Sequence, residues 1–270
     1  MHAFPTSPFF ALIDAELAQV STLIQQRLNT DVALIAYAAR YMASTPDHRS
    51  RPAMALMAAR SLGDMGPRQQ LLAAAIELIH AALALHHGVD QADAEAPAAL
   101  GNAPSVLLGD LLYTGAFRAI VELGNMRVLR ILADATNQIA EGSVMYQLVY
   151  QSPKPSATDE AAAVQHLRIT QARTASLFGA AARCGAILAG AAPATESALA
   201  AYGQSWGLCW QLSQEVAGPA AASRPRALSD TMLRLALAQA QRGFRTAQQG
   251  LITLPESAYR QALLQPADNF

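Results

Sequence analysis

The spacing of apolar residues constrains this chain more than any other feature of its sequence. Nearly every segment places apolar residues three and four positions apart, which is the period of an amphipathic helix, and no segment alternates as a half-buried strand does. The pattern predicts an all-α fold in a single domain spanning residues 1–270, because no loop is long enough to be a linker. We expect helices near residues 10–28, 30–43, 52–63, 67–88, 104–121, 125–148, 158–176, 178–191, 194–217, 229–248 and 256–264.

Composition limits the classes of function. The chain has 270 residues, of which 52% are hydrophobic and 14% charged, so it can bury a substantial core. Nineteen basic and twenty acidic residues give a formal net charge of -1, and we therefore expect no nucleic-acid partner. Cys184 and Cys209 lack the short spacing of a zinc or redox pair, which favours a reduced, cytoplasmic setting.

Neither of the two apolar segments that resemble a targeting or membrane segment in composition has the full pattern of one. The opening stretch "MHAFPTSPFFALIDAELAQV" has no basic region and contains an aspartate and a glutamate, which argues against a signal peptide. The stretch "LFGAAARCGAILAGAAPA" has Arg183 in its middle and is rich in alanine, which favours a packed helix. We expect no membrane span.

The stretch "IELIHAALALHHGVDQAD" is the first candidate functional motif. His86, Asp90 and Asp93 are spaced i, i+4, i+7, so a continuing helix would place them on one face, where they could hold zinc or another transition metal. The alternative is a solvated helix end, and Gly88 argues against a rigid site. Elsewhere there is no glycine-rich phosphate loop, no GxSxG and no HExxH.

Six segments in order resemble the head-to-tail trans-isoprenyl diphosphate synthases, most closely the bacterial octaprenyl-type enzymes, from about Leu12 to Leu212. They are "DHRSRPAMALMAARSLG", "AAAIELIHAALALHHGVD", "GNAPSVLLGDLLYTGAF", "NQIAEGSVMYQL", "RTASLFGAAARCGAILAG" and "YGQSWGLCWQL". The resemblance implies a helical bundle of the isoprenoid-synthase type around a central apolar cavity, usually paired as a dimer. It also implies the attack of isopentenyl diphosphate on an allylic carbocation, helped by three Mg²⁺ ions on two aspartate-rich motifs.

The first aspartate motif of that family is altered in this chain. Where the family has "LHDDVVD", this sequence has "LHHGVDQ". His87 and Gly88 stand in the places of the first two aspartates and Gln91 in that of the last, while Asp90 is one position out of register. Neither imidazole nor glycine replaces a pair of hard carboxylate ligands for Mg²⁺.

The second motif is altered too. Where the family has "FQLIDDLLD", this chain has "WQLSQEVAG", with Gln214 and Glu215 in the places of the paired aspartates and Gly218 in that of the third. Arg173, in "RTASLF", stands where the family has a lysine that contacts the allylic diphosphate, which keeps the charge but changes its geometry. We therefore expect no cofactor, since the Mg²⁺ site of the family is interpreted as lost.

The positions that bind the second diphosphate in the family differ less. In "DHRSRP", His48 replaces a lysine while Arg49 and Arg51 remain, and His80 is retained on the following helix. The resemblance implies a weak diphosphate site formed by these residues together with Arg173. The structural alternative is that Arg51 stabilises the start of a helix and that His80 is a core histidine with its hydrogen bonds made inside the protein.

Four further residues have two open interpretations each. Asp110 and Glu141 match family positions, and a buried helix–helix hydrogen bond or ion pair is as good an interpretation as a ligand role. Trp206 and Trp210 lie four apart on one helix face, which favours core or interface packing, although Trp210 replaces a phenylalanine that lines the cavity in the family.

The functional expectation follows from the altered motifs. We expect a catalytically degenerate homologue of polyprenyl diphosphate synthases, acting as a non-catalytic or regulatory partner subunit in isoprenoid biosynthesis. It would form a homodimer, or a heterodimer with an active polyprenyl diphosphate synthase. The alternative is an altered prenyltransferase, or a protein that binds a prenyl diphosphate or lipid. The segments "GNAPSVLLGDLLYTGAF" and "NMRVLRILADATNQIAEG", which resemble the dimer-forming region of the family, are the best preserved.

Overall fold

The structure is a computed structural model, and it describes residues 8–32, 35–36, 49–64, 66–87, 101–150, 158–217 and 228–265. Across these ranges the chain forms helices and turns and no strand, so the all-α prediction is confirmed. In chain order the helices are α1 (Pro8–Ala11), α2 (Asp14–Arg27), α3 (Ser50–Arg60), α4 (Pro67–His87), α5 (Asn102–Leu123), α6 (Met126–Tyr150), α7 (Asp159–Thr170), α8 (Ser176–Leu188), α9 (Pro193–Ala217), α10 (Asp230–Gln249) and α11 (Ala258–Leu263).

Most predicted boundaries lie within a few residues of the observed ones, and local chemistry explains why. Pro67 begins α4, since a proline costs nothing where the backbone N–H has no helical partner. The Ser229 hydroxyl accepts a hydrogen bond from the backbone N–H of Met232 and so caps α10. The first predicted helix is divided into α1 and α2, and nine of the fourteen residues of the helix expected at 30–43 lie outside the described residues.

The largest departure from prediction is a π-helical turn, Gln171–Ala175, between α7 and α8. The sequence suggested two separate helices, 158–176 and 178–191. The backbone instead continues through the turn, with Thr170 and Ser176 both in right-handed helical conformation. An extra residue in one turn rotates the residues that follow, so Arg173 lies at a position that regular helical spacing would not give it.

Helices α3 and α8 form the centre of the bundle. Every residue from Ser50 to Ala59 in α3 is buried, and so are most residues of α8. The two helices cross where Gly185 meets the backbone of Ala55, and a β-carbon at position 185 would overlap the Ala55 carbonyl oxygen. The alanine and glycine content of these helices therefore permits close helix packing.

Helix α4 packs extensively against α5 and also contacts α2 and α3. Among the residues described, it is the one helix long and apolar enough to meet the length and composition criteria for a membrane span. Its most apolar window is 61% buried inside the bundle, which is what a core helix of a globular protein also shows.

Candidate functional site

One face of helix α6 contacts two of the positions singled out in the sequence, His87 and Arg173, and a third residue, His166. Ser143, Tyr146 and Tyr150 lie three and four residues apart, so they project from the same side of the helix. They contact, in order, the end of α4, the π-helical turn and helix α7. Helix α6 therefore contacts the first-motif position at the end of α4, and it is linked to Glu215 of the second motif through His166 of α7.

His87 ends helix α4 at the first-motif position. Its Nε2 lies 2.7 Å from Oγ of Ser143. Burial, together with the positive charge of Arg173 and the neighbouring His86, lowers the pKa of His87 from 6.5 to about 4. The imidazole is therefore neutral at pH 7 and takes part in a hydrogen bond between helices.

Arg173 lies in the π-helical turn against α6. Its guanidinium carbon is 4.0 Å from the centre of the Tyr146 ring, which is a cation–π contact. Burial lowers the pKa of Arg173, while Tyr146 and Glu215 act in the opposite direction. The turn fits against α6 because residue 142 is glycine: a β-carbon there would lie 2.7 Å from Cβ of Ala172 and 2.9 Å from Cγ of Arg173.

The second-motif position holds a buried polar network. Oε2 of Glu215 lies 2.7 Å from Nε2 of His166, and Oε1 accepts a hydrogen bond from the side chain of Gln211 at 2.8 Å. Nδ1 of His166 lies 2.8 Å from the hydroxyl of Tyr150. Because a carboxylate only accepts, Nε2 of His166 carries a hydrogen and donates it to Oε2. Burial and the charge of Glu215 raise the pKa of Tyr150, so its phenol stays protonated.

A second cationic group lies under aromatic rings at the start of α3. Arg51 is buried, and its Nη1 lies 3.0 Å from Nε2 of His80. Its guanidinium is 4.8 Å from the Phe178 ring centre and 5.7 Å from that of Trp210. The structure therefore brings Arg51 and His80 together, as the diphosphate hypothesis requires.

The structure supports core packing as the role of Trp206 and Trp210. Trp206 and Trp210 are stacked with ring centres 6.5 Å apart. Trp206 also stacks on Phe9 and lies 5.2 Å from Phe178. These rings fill the space between α1, α8 and α9, and Trp210 is the more exposed of the two tryptophans.

Other predicted positions face away from these clusters. Arg49 is paired with Asp14 of α2 at 2.5 Å on the exposed surface. His86 contacts Asp110 at 3.4 Å, and the Asp110 side chain is 65% exposed. Glu141 is also exposed and accepts a hydrogen bond from Asn137. A buried pairing of Asp110 or Glu141, one of the two interpretations above, is therefore wrong.

Some predicted site residues lie outside the described part of the chain. These are His48, Gly88, Asp90, Gln91, Asp93 and Gly218. The His86, Asp90 and Asp93 hypothesis consequently stays a prediction, with only His86 described. Within the described ranges no group of three or more histidine, cysteine, aspartate or glutamate side chains could hold a metal ion.

A family model named "Polyprenyl synthetase" matches residues 32–218. The chain belongs to the polyprenyl synthetase family. Its sequence is 40% identical over 207 residues to the octaprenyl diphosphate synthase of Escherichia coli, and 38% identical over 211 residues to that of Haemophilus influenzae. The matches cover 74% and 76% of this chain but 62% of each relative, so the chain spans less than two thirds of these family members.

Solved structures of family members have the same fold. A polyprenyl synthase from Caulobacter crescentus, complexed with calcium and isoprenyl diphosphate, is 32% identical with a TM-score of 0.81, and the match covers 99% of both chains. A decaprenyl diphosphate synthase from Rhodobacter capsulatus is 29% identical with a TM-score of 0.78, covering 96% of both chains. The isoprenoid-synthase type of bundle is therefore confirmed.

The expectation of no cofactor is wrong. Octaprenyl diphosphate synthases, the curated relatives to which this chain is similar, use Mg²⁺, and substitutions within two motifs do not show that the site is lost. The described residues do not by themselves fit a complete Mg²⁺ site, because Glu215 is the one carboxylate they place at the two motif positions. Both oxygens of that carboxylate already accept hydrogen bonds inside the protein.

Sequence reasoning missed four residues of the site: Ser143, Tyr146, Tyr150 and His166. A signal existed for His166, which stands between Ala163 and Thr170 on the buried face of α7, where helical spacing predicts an apolar residue. Tyr150 is 16 residues from His166 and Glu215 is 49 residues away. The pattern within any one helix therefore did not reveal the network.

Proposed function

We propose that this chain acts in polyprenyl diphosphate biosynthesis as a partner subunit with little or no turnover of its own, paired with a second chain of the same family. The observation that carries the proposal is an exposed apolar face on α5 and α6. Seven of the eleven large apolar side chains exposed in the described part of the chain lie on these two helices. They are Val106, Leu107, Phe117, Val121, Met126, Val144 and Leu148.

The spacing of these residues supports a helix-packing surface. On α5, Leu107, Phe117 and Val121 lie ten and four residues apart, which places them on one side of the helix. On α6, Val144 and Leu148 are also four apart. Leu107, Val121, Met126 and Leu148 are exposed by 68%, 69%, 75% and 70%, and large apolar side chains exposed on one side of a helix are typical of protein interfaces.

The hydrogen bonds made by the residues at the two motif positions support weak turnover. His87 is neutral and bonded to Ser143, and Glu215 is bonded to His166. Ionisation of an allylic diphosphate needs its developing negative charge neutralised, and losing one such electrostatic contact costs about 10² to 10³ in rate. Heteromeric assembly is known on this fold, as in the heterotetrameric geranyl pyrophosphate synthase of mint.

Purified chain, supplied with Mg²⁺ and with allylic and homoallylic diphosphates, tests the catalytic part of the proposal. We expect no prenyl product, or a rate at least about 10²-fold below that of an intact synthase measured alongside. Turnover comparable to the intact enzyme would contradict the proposal.

Co-expression with an intact synthase from the same organism tests the pairing part. We expect a stable heterodimer on copurification, lost when Val121→Asp and Leu148→Asp are combined. Val164→Asp is the matched control, because Val164 is also an exposed valine, at 57%, but lies on α7. Retention of the pair in the double variant, or its loss in the control, would contradict the assigned face. Copurification of the tagged chain only with a second copy of itself would identify a homodimer.

A second candidate function is the binding of a prenyl diphosphate without turnover. The observation that favours it is the buried Arg51–His80 pair, a cationic group held under aromatic rings. Titration calorimetry with isopentenyl diphosphate should detect binding that Arg51→Met abolishes and Arg49→Met leaves in place. No measurable heat in the unmodified chain would contradict it.

A cytoplasmic location stays a prediction, consistent with the free thiols of Cys184 and Cys209.

A further inference from the structure

Helix α10 has one packed side and one side that faces solvent. Leu233, Ala236, Ala240 and Phe244 are spaced three or four residues apart, and all four are buried where α10 packs against α7 and α9. The residues on the opposite side are exposed. Because the packed side holds the helix, the exposed residues keep a fixed position on the surface of the protein.

Three arginines share this exposed side. Arg234, Arg242 and Arg245 are spaced eight and three residues apart, so they lie on one face of the helix over about 17 Å. Asp230, in the first turn, is the one acidic residue of α10. None of the ion pairs formed within the described ranges involves any of the three arginines. Their charges therefore face solvent.

The sequence concentrates positive charge around this helix. Residues 219–250 contain five arginines and one aspartate, which is a net charge of +4 in a chain whose formal total is -1. The remaining residues therefore carry a net charge of -5. A local field of this kind attracts an anionic surface even though the whole protein is close to neutral.

We propose that the exposed side of α10 binds an anionic phospholipid surface through Arg234, Arg242 and Arg245. Guanidinium groups suit this partner, because they form paired hydrogen bonds with phosphate oxygens. Leu235 is 41% exposed and lies seven residues before Arg242, on the same side of the helix, where it adds an apolar contact.

The composition of this side favours a lipid surface over an acidic protein. Protein interfaces depend on a few large aromatic anchors, and Phe244, the single aromatic residue of α10, is buried on the packed side. The proposal goes beyond the partner role, because the arginines lie on neither α5 nor α6. Lipid binding and heterodimer formation are therefore measured, and can fail, separately.

Cosedimentation of the full chain with lipid vesicles tests the proposal. We expect binding to vesicles of phosphatidylglycerol and phosphatidylcholine in equal parts, and no binding to phosphatidylcholine alone. Binding should be lost at an ionic strength of about 0.5 M, because salt screens exposed charges. Arg242→Gln combined with Arg245→Gln should lower the partition coefficient about 25-fold, since each basic residue near an anionic surface contributes about fivefold.

The matched control is R130Q/R183Q, which removes two exposed arginines from α6 and α8 with the same change in net charge. It should lower the partition coefficient by less than about threefold. All four positions are exposed and glutamine is a good helix former, so circular dichroism should show the helical fold in both double variants.

Three outcomes would overturn the proposal. The first is no binding of the unmodified chain to the anionic vesicles, or equal binding to phosphatidylcholine alone. The second is a loss in R242Q/R245Q no larger than the loss in the control. The third is tighter binding to duplex DNA or to polyglutamate than to the vesicles at equal anion concentration, which would assign the arginines to a nucleic acid or to an acidic protein.

Discussion

Nε2 of His87 lies 2.7 Å from Oγ of Ser143, and the Ser143 hydroxyl also donates to the carbonyl of Ile139 at 2.8 Å. Since serine has one hydroxyl hydrogen, Nε2 of His87 is the donor to Oγ. Helix α6 thus holds the end of α4 through a neutral imidazole. The contact gives the protein a measurable dependence on pH.

Acidification should destabilise the protein through His87. Its pKa is about 4 when folded and 6.5 as the ordinary value, so the unfolded chain binds the proton more readily. The stabilisation is present above pH 6.5 and is lost as pH falls towards 4. Between pH 7 and pH 5 we expect a loss of about 2 kcal/mol in free energy of unfolding from this group.

Urea denaturation at both pH values, compared with His87→Gln, isolates that contribution from the titration of carboxylates. The variant should lose about 2 kcal/mol less than the unmodified chain on acidification. Identical losses in the two proteins would show that His87 is not the source.

Gly142→Ala should destabilise the fold by about 1–3 kcal/mol, because the added methyl overlaps Ala172 and Arg173 across the contact between α6 and the π-helical turn. Gly243→Ala is the matched control in α10, where a β-carbon meets no atom within 4 Å. Alanine is the better helix former, so the control should gain about 0.5–1 kcal/mol. Denaturant midpoints for both proteins check the pair, and a neutral Gly142→Ala would mean that the turn does not pack against α6 as described.

Tyr146→Leu should cost about 1–2 kcal/mol in unfolding free energy, because it removes the aromatic face 4.0 Å from the desolvated Arg173 cation. Tyr146→Phe keeps that face and should cost less. Thermal and urea unfolding of the two variants measure the difference. Equal costs would assign the stabilisation to the hydroxyl and not to the ring.

Neither cysteine should react while the chain is folded. Burial raises the pKa of both Cys184 and Cys209 to about 12, so the nucleophilic thiolate is scarce at pH 8. Mass spectrometry after brief iodoacetamide treatment should find no label on the native chain and two labels on the denatured chain. Rapid labelling of native Cys184 would place that thiol at the surface.

The features predicted well are those that a single helix encodes. Apolar spacing located α4, α5 and α6, and Pro67 and Ser229 fixed two helix starts through their own backbone chemistry. The pairing of Arg51 with His80 followed from resemblance, since the two residues are 29 positions apart.

The predictions that failed depend on how the helices pack against one another. The sequence gives no sign of the extra residue in the π-helical turn, because an α-helix and a π-turn share the same helix formers. Asp110 and Glu141 were assigned a buried pairing as one alternative, yet both lie on the solvent side of their helices. Glu215, His166 and Tyr150 lie on three different helices, so their network can be predicted only when the packing of those helices is known.

Helix α10 lies beyond residue 218, where the match to the family model ends. Its Phe244 nevertheless packs with ring centres 5.3 Å apart from Tyr202 of α9, and Tyr202 is 2% exposed. Truncating the chain at residue 218 would remove Phe244 and expose the aromatic ring of Tyr202 to water. Expression boundaries chosen from the family match alone would therefore yield an aggregation-prone fragment, and the segment to residue 265 belongs in any functional assay.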